Sequence, residues 1–123
     1  MAAIKSYSDL EQSKKLAEIL PLESADMHYV LIDTDKDKYD VGLGKYIGIL
    51  LHYPCWSLTA LISVLPKNLN IGRPSLASNY KGYYWIQYYD EFMKPNNYKT
   101  KCFNNPVDSC YEMIIKLHEL NLL

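Results

Sequence analysis

Cysteine is scarce in this sequence: Cys55, Cys102 and Cys110 are the only three, an odd number with no CxxC pair. That excludes a disulfide framework and supplies no zinc spacing, so a reducing compartment is expected. Long apolar runs are also missing. The stretches at 49–51 and 58–65 fall far short of a membrane span. Residues 1–15, "MAAIKSYSDLEQSKK", hold no apolar core for a secretion signal, and their acidic side chains speak against a transit peptide. Neither charge sign dominates: thirteen basic and fourteen acidic residues leave a net charge of −1, with no basic run. No global field therefore draws nucleic acid or an anionic membrane. These absences point to a cytoplasmic protein with no membrane partner.

What is present suits a folded chain. Nearly half of the 123 residues are hydrophobic (49%) and 22% are charged, which is far from a disordered composition and enough for one core. No repeat or linker divides the chain, so a single domain over 1–123 is expected.

Ser8 and Glu11 have capping-box spacing and predict a helix. Leu10, Leu16, Ala17, Ile19 and Leu20 form its inward stripe, Glu11, Lys14, Lys15 and Glu18 its wet face, and Pro21 its end. A strand is predicted from Met27 to Ile32, then a charged loop from Asp33 to Asp40, and a second strand over Tyr46 to Leu51. "HYPCWSLTALISVLP" predicts a helix over Pro54 to Leu65, closed by Pro66, with a later start after Ser57 as the alternative. The turn-rich "KNLNIGRPSLASNYKG" has room for a short strand at Leu69 to Ile71. "YYWIQYY", Tyr83 to Tyr89, is the strongest strand signal. Asn105, Pro106 and Asp108 then open a last helix whose apolar face is Cys110, Met113, Ile114, Leu117 and Leu120. The expected fold is α+β: three helices on one mainly antiparallel sheet of three to four strands, in the order αββαββα.

Several motifs come close to a known chemistry and then depart from it. "DTDKDKYD" places Asp33, Asp35 and Asp37 as a calcium loop would, yet Lys38 stands where the turn needs glycine and Gly44 where a glutamate should close the shell. "GLGKYIG" has glycines at 42, 44 and 48, but Lys45 is followed by tyrosine where a phosphate loop needs Ser or Thr. A hairpin or bulge is the simpler use of those glycines. Asp26, His28 and His52 have the composition of a two-His, one-carboxylate site, although three histidines per chain produce such sets by chance. His118 suits a helix C-terminus. No metal site and no cofactor are therefore assigned.

Cys55 raises the question of nucleophilic catalysis, because helix N-termini stabilise thiolates and His52 stands three residues earlier. A helix starting at Pro54 puts Cys55 on the buried stripe with Leu58, Leu61, Ile62 and Leu65. A start after Ser57 leaves the thiol in the loop, with Trp56 stapling onto Leu61. Only the second geometry gives a reactive thiol. Neither an oxyanion donor nor a third orienting residue can be named, so no catalytic residue is assigned.

"KGYYWIQY", Lys81 to Tyr88, nearly fits the RNA-recognition pattern of basic, Gly, aromatic, small, aromatic, apolar, any, aromatic. Tyr83 and Trp85 would project from one face and stack bases. Tyr84 at the small position, the lack of a strand after the last helix and the near-neutral chain count against it. An exposed Tyr/Trp row also suits a protein partner or self-association, since such rings bury much area at little entropic cost. The expected contact residues are Tyr83, Trp85, Gln87 and Tyr89.

Three segments, "SDLEQSKKLAEILPLESADMHY", "YPCWSLTALISVLP" and "NPVDSCYEMIIKLHEL", cover 52 of the 123 residues. Together they resemble a family of small proteins of Bacteroides-group gut anaerobes, carried on prophages and other mobile elements. A looser similarity links the chain to a phage domain built as a helix, sheet and helix sandwich, with a Trp-bearing helix, following strands and a last helix entered through proline. The resemblance implies a phage or mobile-element setting and an α+β sandwich. It implies no activity and no catalytic residues. The expected function is a small non-enzymatic accessory or interaction protein, with single-stranded nucleic-acid binding second and a cysteine-dependent enzyme third.

Overall fold

The computed structural model describes residues 4–33, 35–36, 38–44, 52–68 and 70–123. The chain is α+β, with α1 (Leu10–Ile19), β1 (Met27–Asp33), β2 (Lys38–Leu43), β3 (His52–Cys55), α2 (Leu58–Val64), β4 (Arg73–Ser78), β5 (Tyr84–Tyr89), β6 (Pro95–Lys99) and α3 (Pro106–Glu119). Among the described residues two antiparallel three-stranded sheets form, in the orders β2-β1-β3 and β4-β5-β6. The order of the described helices and strands is αβββαβββα, where the sequence predicts αββαββα on one sheet.

The differences have local causes. β2 begins at Lys38, inside the predicted charged loop, because its residues pair with β1 from Met27↔Leu43 to Asp33↔Lys38. β3 takes His52 and Tyr53, which fall between the predicted strand and helix, and Pro54 and Cys55, predicted as the start of the helix. Pro54 is tolerated there because β3 is an edge strand. The predicted strand over 46–51 and Lys45 of the glycine cluster lie outside the described residues, as does Leu69. Ile71 sits in a turn, and the strand begins later, at Arg73.

The caps explain the helix limits. Ser8 is fully buried, accepting from Trp56 N at 3.1 Å, so the α1 cap falls to Asp9 instead, in a reciprocal capping box with Gln12. Ser57 caps α2, and Asn105 caps α3 with Pro106 in its first turn. α3 buries Val107, Cys110, Met113, Ile114 and Leu117 completely. At roughly 1.5–3 kcal/mol for each large apolar side chain, that face anchors the domain.

The main core joins α1, α2, α3 and the inner face of the second sheet, with Leu16, Trp56, Leu61, Ile86 and Tyr88 at its centre. A smaller cluster of Met27, Tyr29 and Cys55 lies under Tyr7 and Leu10 on the first sheet. The segment before α1 ties the two together: Ser8 N donates to Trp56 O at 2.8 Å and Leu58 N to Ser6 O at 3.0 Å.

The second sheet is a meander whose turns recur every eleven residues, at Asn68, Asn79 and Asp90. Each side-chain oxygen accepts two backbone N–H groups further on: Asn70 and Ile71, Lys81 and Tyr83, Phe92 and Lys94. Gly72 and Gly82 supply positive φ values in the first two turns, and Met93 takes φ 61° in the third.

Candidate functional site

Alternation along β5 separates its side chains into two rows. Ile86 and Tyr88 point into the core, where the Tyr88 hydroxyl donates to Pro66 O at 2.8 Å. Tyr83, Trp85, Gln87 and Tyr89 belong to the opposite face. Pairing places Arg73 beside Tyr89, Ser75 beside Gln87 and Ala77 beside Trp85. The small side chains of Ser75 and Ala77 leave the β4 side of the aromatic row low. On the other side Lys99 pairs with Gln87, and its Nζ lies 6.0 Å from the centre of the Trp85 ring. Lys101 sits over Phe103 at 5.5 Å, and Phe103 pairs with Tyr84, which alternation assigns to the other row.

The structure brings three of the four expected contact residues to a reachable surface. Tyr83 is 45% exposed, and Trp85 and Tyr89 are partly buried. Gln87 is 6% exposed, its Nε2 donating to Tyr88 O and Asn96 O, both at 2.8 Å. It closes the bulge where β6 loses register with β5. At the Tyr89 end, Gly72, Arg73, Tyr89 and the turn from Asp90 to Met93 line a depression of about 350 Å³. Phe92 and Met93 stand at its rim, 75% and 74% exposed.

The thiol raised by the sequence lies elsewhere. The helix does start after Ser57, the geometry expected to free Cys55, yet Cys55 is 0% exposed because it is the last residue of β3 and faces the core. Its Sγ lies 3.5 Å from Ser8 O and 3.7 Å from Ser8 Oγ, whose hydroxyl meets Ser13 Oγ at 2.7 Å. Burial pushes the thiol above its usual range, outweighing the hydrogen bonds from Ser8, Ser13 and Tyr29. At neutral pH the group is a protonated packing element.

Two of the three residues weighed for a metal meet. The His28 and His52 rings stack at 5.5 Å, 6° from parallel, and a ring nitrogen of His28 lies 3.2 Å from Gly44 O. Asp26 does not join them: its carboxylate accepts from Ser57 N at 2.9 Å and from the Ser57 hydroxyl. No group of three His, Cys, Asp or Glu side chains suited to a metal occurs among the described residues. No helix among them is long and apolar enough to cross a membrane.

No protein-family model, curated protein or solved structure matches the chain.

Sequence reasoning missed Arg73 and Lys99 as part of this surface, because they never form a run. A readable signal existed in the balance between regions. Residues 67–103 contain six basic and two acidic side chains, the rest of the chain seven basic and twelve acidic. The near-neutral total conceals a positive second sheet.

Proposed function

We propose that the chain is a small non-enzymatic binding module that works through the outer face of the second sheet, with Tyr83, Trp85 and Tyr89 as its contact residues. The observation carrying this reading is that one row of the central strand builds the core while the other holds two partly buried aromatic rings and one exposed ring, with small or basic neighbours. Large rings left at a surface bury much area on contact at little entropic cost. The buried, protonated Cys55 speaks against a cysteine-dependent enzyme, the third expectation from the sequence. The three-segment resemblance supports an accessory role in a phage or mobile element.

Site-specific photocrosslinking tests it. Tyr83→benzoylphenylalanine, irradiated in cells expressing the protein, is expected to give a discrete adduct, while the same residue at the exposed Thr59 of α2 gives none. Equal adducts from both positions, or none from position 83, would contradict the reading.

A further inference from the structure

The cations around the aromatic row distinguish among ligands. Segment 67–103 carries a net charge of +4 and the remainder −5, with His neutral. Nine of the sixteen aromatic side chains also fall in this segment. The charge is arranged on both sides of the row: Arg73 beside Tyr89 on β4 and Lys99 beside Trp85 on β6. Both acidic residues of the segment, Asp90 and Glu91, stand at its Tyr89 end. The Asp90 carboxylate is held by the Phe92 and Lys94 amides.

A protein interface enriches tyrosine, tryptophan and arginine but depletes lysine, so Arg73 beside Tyr89 would suit one and Lys99 beside Trp85 would not. Here cations stand directly beside the rings. Phosphates alone would require only the cations, and an apolar ligand only the rings. The chemistry that uses both at this spacing is a flexible polyanion with planar, stackable groups.

We propose that this face binds single-stranded nucleic acid, bases stacking on Tyr83, Trp85 and Tyr89 while Arg73 and Lys99 contact phosphates. The inference rests on the sheet face being the binding surface and names its ligand. It involves no base-specific hydrogen bonding, since Gln87, the one amide in the row, already donates to backbone carbonyls. Binding should therefore be tolerant of sequence and strongly dependent on salt.

The two tryptophans provide the readout. Trp56 is fully buried in the main core, so fluorescence quenched by an added strand reports on Trp85. The probe is oligothymidylate of about 12 nucleotides, titrated at about 50 and about 200 mM salt. The expected result is quenching at the lower salt and roughly 7-fold weaker binding at the higher, as about two phosphate contacts on a single strand require. Lys99→Gln should make the logarithmic salt slope shallower by about 0.7. Tyr83→Ala, at an exposed position that the fold does not need, should weaken binding about 5-fold or more.

Absence of binding at the lower salt would overturn the assignment, as would binding untouched by Tyr83→Ala. If position 83 still crosslinks while the oligonucleotide fails to bind, the face stands as a binding surface and its ligand is a protein. If position 83 yields no adduct and the oligonucleotide fails as well, both readings fall.

Discussion

Lys5 and Asp108 stand 103 positions apart, and the Lys5 ammonium lies 2.9 Å from the Asp108 carboxylate. The same ammonium reaches Asp9 at 2.8 Å, while Gln12 and Asn105 each donate to Asp108 at 2.8 Å. The caps of α1 and α3 are thereby joined through one cation. Burial alone would raise the Asp108 carboxyl, but hydrogen bonds from Lys5, Asn105 and Gln12, with the Lys5 charge, hold it below the usual carboxylate range. Burial alone would likewise lower Lys5, and its two carboxylate partners hold it above the usual lysine value.

Stability should therefore depend on pH at both extremes. A carboxyl depressed in the folded state contributes above its unfolded value and loses that contribution as pH falls through the folded one, so the acid loss sets in below about pH 4. The raised lysine contributes below its unfolded value and loses this above about pH 10.5. Asp108→Asn should lower stability at neutral pH by about 1 kcal/mol, a modest figure because the pair is partly solvated. Urea denaturation across pH checks this: the acid slope should shrink in the variant, and an unchanged slope would place the dependence elsewhere.

The three thiols should separate cleanly by access. Cys102 is exposed, Cys55 and Cys110 are buried, and burial pushes Cys110 up to about 12. Titration with a chromogenic disulfide near neutral pH should release one equivalent rapidly from the native protein and three after denaturation. A fast second equivalent would place Cys55 or Cys110 in reach of solvent.

Two glycines with nearly equal backbone angles should respond differently to alanine. Gly72 has φ 87° and Gly82 φ 85°, so both substitutions incur left-handed strain of about 1 kcal/mol. A Cβ at Gly72 would also overlap the Tyr89 carbonyl, whereas nothing lies within 4 Å at Gly82. Gly72→Ala should cost more than about 2 kcal/mol and disturb the Tyr89 end of the face. Equal losses in a denaturant series would show that the close approach at Gly72 relaxes freely.

The elements legible in the sequence were those whose signal is local. α1 and α3 carry caps and an apolar stripe, and β1 and β5 carry dense β-branched or aromatic runs. The edge strands β2, β4 and β6 were obscure because "KYDVGL", "RPSLAS" and "PNNYK" are polar or rich in turn formers. Pairing to a central strand holds them extended. Period-two reasoning along β5 separated its rows correctly, but the burial of Gln87 depends on a bulge in β6 that no local pattern announces. Cys55 was misplaced for a related reason: Pro54 is a favoured first helical residue as well as an edge-strand one, and only the pairing of His28 with Pro54 reveals the strand.

Single-stranded nucleic acid as the ligand of the outer face of the second sheet is tested most directly by amide chemical-shift mapping of the isotope-labelled protein titrated with oligothymidylate at low salt. Shifts should gather at Arg73, Ala77, Tyr83, Trp85, Tyr89 and Lys99 and leave α2 and the first sheet unmoved. Shifts centred on α2 or the first sheet, or none at any residue, would contradict it.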